Sequence, residues 1–148
     1  MANNDKALLL VLDLREKQEQ NALEIYIQAQ NKITAFKQQI AQIEQYKESY
    51  INEMQQRGMT GFSAQILLSY QDFLDKLDDI KKRQEQQLAL AIAETERKRE
   101  AYLQAQKQRK IIDTLLEKHK IQRQKLEAIK EQKLLDDFVV SHASRHKK

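Results

Sequence analysis

Apolar residues recur along the chain in alternating steps of three and four, the spacing of a coiled-coil seam on an α-helix. In the first segment the inward set reads Leu8, Leu12, Arg15, Glu19, Ala22, Tyr26, Ala29, Ile33, Phe36, Ile40, Ile43, Lys47, Tyr50 and Met54. Eleven of these fourteen are apolar, which predicts one helix over about residues 4–57. Asn3, Asn4 or Asp5 can cap its start, because a short polar side chain accepts the free amides of a first turn. Arg57 and Gly58 suit its end, one as a cation near the last carbonyls and one as a residue that tolerates a left-handed backbone.

The pattern breaks at Gly58-Met59-Thr60-Gly61-Phe62-Ser63, so a turn is expected over 58–63, with Ser63 as the cap of a second helix. The same spacing then resumes in a single phase. It runs through Leu67, Tyr70, Leu74, Leu77, Lys81, Gln84, Leu88, Ala91, Thr95, Lys98, Tyr102, Ala105, Arg109, Ile112 and Leu116. His119, Arg123, Leu126, Lys130, Lys133, Asp137 and Val140 continue it. Twelve of these twenty-two are apolar, so the second seam is wetter. A helix over about 64–140 is expected, with a frayed basic tail at 141–148.

Two such seams predict an all-α fold, a long antiparallel two-helix coiled-coil hairpin forming one domain, with the second helix the longer. Folding about residue 60 sets facing residues at numbers that total about 120. Tyr50 then faces Tyr70, Ile43 faces Leu77, Ile33 meets Leu88, Ala29 meets Ala91, Arg15 meets Ala105 and Leu8 meets Ile112. The first helix runs out opposite residues 112–117, so the chain from about Lys118 onward is expected to overhang.

Composition supports this organisation. There is no Pro, and the only two Gly are those of the turn; a compact domain with many turns needs more breakers. Charged residues reach 32% and aromatics only 6%, as in long solvated helices. The lack of Cys removes disulfides and thiol chemistry, and fits a reducing compartment. The apolar run Ala7–Leu12 has no basic leader beyond Lys6 and is closed by Asp13 and Arg15, so it reads neither as a signal peptide nor as a membrane span. The expected chain is soluble and not exported.

The net charge of +4 is uneven. Residues 1–57 and 58–104 each carry 7 basic and 8 acidic side chains, whereas residues 105–148 carry 12 and 6. That basic last third fits a solvated helix face, an acidic protein or membrane surface, or nucleic acid.

No catalytic constellation emerges. His119 is isolated in the sequence. His142 and His146 share i, i+4 spacing, but no further ligand pattern completes a metal site. The carboxylates sit beside Lys or Arg at helical spacing, as Glu44 and Lys47 do, which is surface helix electrostatics. A two-helix rod offers no water-excluding pocket for general acid–base work. The chain is expected to be no enzyme and to need no cofactor or metal.

Binding surface remains. Five of the nine aromatics, Tyr46, Tyr50, Phe62, Tyr70 and Phe73, cluster around the turn. Phe73, Leu77, Ile80 and Gln84 form a second stripe at i, i+4, i+7 and i+11 that shares Leu77 and Gln84 with the seam. Such a stripe is either a broad core or spare surface for a partner.

These residues resemble the FliJ family of bacterial flagellar export proteins. Tyr46 and Tyr50 before the glycine turn, Tyr70-Gln71-Asp72-Phe73 after it, and Lys133-Leu134-Leu135-Asp136-Asp137-Phe138 near the end carry the resemblance, which spans essentially the whole chain. It implies a non-enzymatic coiled coil of type III protein export, built like the stalk of a rotary ATPase. It also implies partners: the export ATPase FliI, bound at the paired terminal ends, the export-gate protein FlhA, and export chaperones in an escort role. The implied location is cytoplasmic, peripheral on the cell membrane through those partners. The gate-binding residues implied are Phe73, Leu77, Ile80 and Gln84; Ile80 is bulkier than its family counterpart, and Gln84 stands where the family has His. A nucleic-acid-associated or membrane-surface structural coiled coil, using the basic last third, is the alternative.

Overall fold

The computed structural model describes residues 2–57 and 63–146, with side chains for 5–57 and 63–144. It contains two helices, α1 over Ala2–Gln56 (55 residues) and α2 over Ala64–His146 (83 residues), packed as an antiparallel hairpin. Of the turn expected at 58–63, residues 58–62, with Gly58, Gly61 and Phe62, lie outside the described residues.

The helix ends show which local signals act. Ser63 caps α2: its Oγ accepts the Ile66 amide at 3.2 Å and its carbonyl accepts the Leu67 amide at 3.1 Å. The Arg57 amide donates to the Glu53 carbonyl at 3.1 Å, and its guanidinium meets the Glu53 carboxylate at 3.0 Å. Asp5 does not cap α1. It lies inside the helix, and its carboxylate is engaged by His119 and Arg123 of α2. The helix also continues past the expected end at residue 140, so residues 141–146 are ordered as helix. No Gly or Pro follows Gly61 to stop it, and helical hydrogen bonds need no tertiary partner. Phe138 and His142 add an i, i+4 ring stack, with centroids 5.9 Å apart and planes at 9°.

Contacts gather into two compact units. The loop-bearing unit is Asn21–Leu103, and the terminal unit joins Met1–Gln20 to Gln104–Lys148.

In the loop-bearing unit, the seam positions read from the sequence turn inward on both helices, apart from the exposed Leu67. Burial is shallow, because each helix has only one neighbour. Met54, Leu77 and Thr95 are the most enclosed of the described residues, at 9%, 8% and 8% exposure. Thr95 is polar, but its Oγ1 donates to the Ala91 carbonyl at 2.7 Å, so its burial leaves no lost hydrogen bond. In the terminal unit, Leu8, Leu12, Arg15 and Glu19 face inward, as do Ala105, Arg109, Ile112, Leu116 and His119. Residues 121–144 are exposed throughout.

The register differs from the expected one. Tyr50 does stack on Tyr70. The other cross-helix pairs have numbers that total 124 to 128: Lys47 reaches Asp78, Tyr26 stacks on Tyr102, Glu19 binds Arg109 and Asp5 binds His119. That is one to two seam steps later. A seam repeating every three to four residues looks the same after such a step, so periodicity alone cannot separate the two registers. Pairing consequently extends to His119 and Arg123, and the overhang begins beyond the expected residue 118.

Candidate partner-binding surfaces

Near the turn, within the loop-bearing unit, the aromatics gather across the two helices. Tyr50 stacks on Tyr70 at 5.2 Å and tilts against Phe73 at 4.6 Å, and Tyr46 meets Phe73 edge-on at 6.0 Å. Ring pairs in these geometries add to simple area burial. Phe73 is therefore held between two tyrosines of α1. Leu77 is buried in the seam. Ile80 is 43% exposed. The Gln84 side chain is half-buried, and its Oε1 is enclosed without a hydrogen-bond partner among the described residues. Of the four stripe residues, then, the structure brings Phe73 and Leu77 into the helix–helix contact and leaves Ile80 open. A cleft of about 460 Å³ connects Leu77 and Gln84 with Ile43 and the exposed Tyr46. Tyr46 is the residue that the stripe spacing missed; its signal was its place in the aromatic cluster.

Cross-helix ion pairs flank this surface. Lys47 Nζ lies 2.6 Å from Asp78, and Lys81 binds Glu44 and, at 3.8 Å, Glu85. The expected local pairing of Glu44 with Lys47 is replaced by these two bridges. Both lysines occupy seam positions, and their long stems carry the ammonium out to a carboxylate on the other helix. The hydrogen bond from Lys47 holds the Asp78 carboxyl below its ordinary value. The bond to Glu44 holds Lys81 above its own.

The terminal unit carries a different arrangement. Arg109 Nε donates to Glu19 at 2.6 Å, and its Nη1 donates to Asp113 at 2.7 Å. The bond to Glu19, then that to Asp113, raises the pKa of Arg109. Arg15 lies in the same unit, with its Nε enclosed and without a hydrogen-bond partner among the described residues. Closer to the start of α1, the Asp5 carboxylate lies 3.1 Å from His119 Nδ1 and also binds Arg123. His119, isolated in sequence, is therefore half of a cross-helix pair, made by residues 114 apart along the chain.

Beyond that clamp, the described residues of α2 are exposed. Ile121, Leu126, Ile129, Leu134, Leu135, Phe138, Val139 and Val140 are all exposed. Over 121–144 the basic residues Arg123, Lys125, Lys130 and Lys133 are matched by Glu127, Glu131, Asp136 and Asp137. The basic surplus of the last third lies instead in 105–120 and in the final four residues. The exposed helix is thus apolar and charge-balanced, a surface suited to protein more than to phosphate backbone.

Among the described residues, no helix is long and apolar enough to cross a membrane, and no three His, Asp or Glu side chains gather as metal ligands do. No curated protein and no solved structure matches the chain. The sequence model of the flagellar FliJ protein family matches residues 4–148, essentially the whole chain. With that match and a hairpin of two helices of unequal length, the chain belongs to the FliJ family, a family of structural coiled-coil components associated with flagellar export.

Proposed function

We propose that this protein couples the export ATPase FliI to the export-gate protein FlhA in the cytoplasm, peripheral on the membrane through those partners, and escorts export chaperones. The family match over residues 4–148 is the observation that carries this reading. Two features of the chain support it. The helix over 121–144 presents bulky, exposed apolar side chains, as a ring-binding segment requires. The turn-proximal surface around Tyr46 and Ile80 offers a separate patch for the gate.

The test is a pull-down with the cognate FliI, followed by ATPase assays with and without the protein. Binding and stimulation are expected, and both are expected to disappear when residues 124–148 are deleted. That deletion leaves the helix pair's melting temperature nearly unchanged, since its described residues, 124–144, are all exposed. No binding and no stimulation by the intact chain overturns the reading. For the gate, Ile80→Glu is expected to reduce FlhA binding without loss of helicity. Leu77→Ala is a poor probe, because Leu77 is seam.

A further inference from the structure

We propose that the loop-bearing unit has a third docking surface, a groove along one flank of the helix pair that receives an acidic amphipathic helix from another polypeptide. It is separate from the turn-proximal patch and from the exposed end of α2, and it does not depend on the export reading.

The groove follows from a run of small seam residues. Ala29, Ala91 and Thr95 replace the bulky side chains found elsewhere in the seam, so the space between the helices is left shallow and open on one side. Two adjoining clefts of about 530 and 310 Å³ open there. They share Lys32, Ala91 and Glu94, and so form one continuous furrow. Its walls are apolar in a way that the seam does not explain. Leu90, 64% exposed, and Ile25, 39% exposed, lie outside the seam and line this flank beside the seam residue Phe36. A furrow between two antiparallel helices with a small-residue floor is the shape into which the side-chain ridge of a third helix packs.

Charge selects the occupant. The rim carries Lys32, Arg97 and Lys98 against the single carboxylate of Glu94. Glu94 is already occupied, with Arg97 at 2.9 Å and Lys98 at 3.3 Å, and the hydrogen bond from Lys98 holds its pKa down. Lys32 has no ion pair among the described residues. The rim therefore presents net positive charge, and a helix with acidic residues beside its apolar stripe complements it.

The experiment uses the full chain and two synthetic helical peptides of roughly 20 residues. Both carry the same leucine stripe; one has Glu and the other Lys at the flanking positions. Fluorescence anisotropy titrations should show the Glu peptide binding at least about tenfold more tightly than the Lys peptide. Leu90→Asn should weaken it about tenfold with an unchanged melting curve, because Leu90 is largely exposed. Lys32→Glu with Arg97→Glu should reverse the preference. Equal affinity for the two peptides, no binding of either, or insensitivity to Leu90→Asn overturns the proposal. So does concentration-dependent self-association that Leu90→Asn abolishes, because the occupant is then a second copy.

Discussion

The two units are built from the same seam and closed by different chemistry. The loop-bearing unit joins its helices with rings: Tyr26 on Tyr102, and Tyr46 and Tyr50 around Tyr70 and Phe73. The terminal unit joins its helices with charge: Glu19 and Asp113 on Arg109, and Asp5 on His119 and Arg123. Ring packing and apolar burial change little with salt or with pH near neutrality. Partly exposed ion pairs are screened by salt, depend on protonation, and contribute little net stability. The same sequence periodicity thus yields one unit whose seam is reinforced by rings beside its ion pairs, and one whose seam is reinforced by ion pairs without such rings. The seam spacing sets which residues meet, and their chemistry sets how firmly.

The largest expected effect breaks the firm unit. Leu77→Ala removes one of the few enclosed seam side chains and should cost about 2 kcal/mol, the low end for a buried leucine, since only one helix covers it. Thermal melting by circular dichroism measures this, and the loss should be the same in low and high salt. A salt-dependent loss would place Leu77 in an electrostatic rather than an apolar contact.

The next tests the ionic unit. Arg109→Met should accelerate amide exchange in residues 5–19 and 109–123 while leaving 40–56 and 67–80 protected. Wild-type protein in about 1 M salt, where the screening length falls to roughly 3 Å, should show a weaker version of the same pattern. Exchange that rises evenly over both units would dissolve the distinction between them.

Titration sharpens the comparison, because the loop-bearing unit also has two ionic clamps. Asp78 is depressed, so its contribution is full above the ordinary carboxylate value of about 4 and is lost as pH falls through the lower folded value. Lys81 is raised, so its contribution is full below about 10.4 and is lost as pH rises through the higher folded value. The melting-temperature difference between wild type and Lys47→Met should therefore hold steady through neutral pH and shrink below about pH 4. A difference that persists to pH 2 would mean that Lys47 acts through packing of its stem. The smallest expected effect is Ile80→Ala, under about 0.5 kcal/mol by chemical denaturation, as for an exposed side chain outside the seam.

Much of the fold was legible because a coiled coil writes its contacts into a spacing. Residues as unlike as Ala22, Lys47 and Thr95 were placed inward by position alone, and each is at least half-buried. The register was not legible to better than one or two seam steps, because a repeat of three to four residues carries no mark of which repeat it is. The cross-helix clamps shared that blindness. Glu44 has Lys47 one turn away and Lys81 across the seam, and local spacing favours the former; the structure chooses the latter. His119 and Asp5 gave no sign of each other over 114 residues. For the stripe after the turn, spacing found Phe73 and Leu77 but could not separate a seam residue from a spare one. Only the burial of Leu77 beside the openness of Ile80 does so.

Residues 121–144 carry a further consequence. Their helix has no neighbour to hold it, so its order rests on the local helix–coil balance, which shifts with temperature and length. A partner that grips this segment as a helix binds only the fraction of molecules in which it is wound, and its apparent affinity scales with that fraction. Helix propensity at exposed positions such as Gln124 and Ser141 then becomes a dial on binding strength. The affinity of this protein for whatever takes its free end can be tuned without altering a single contact.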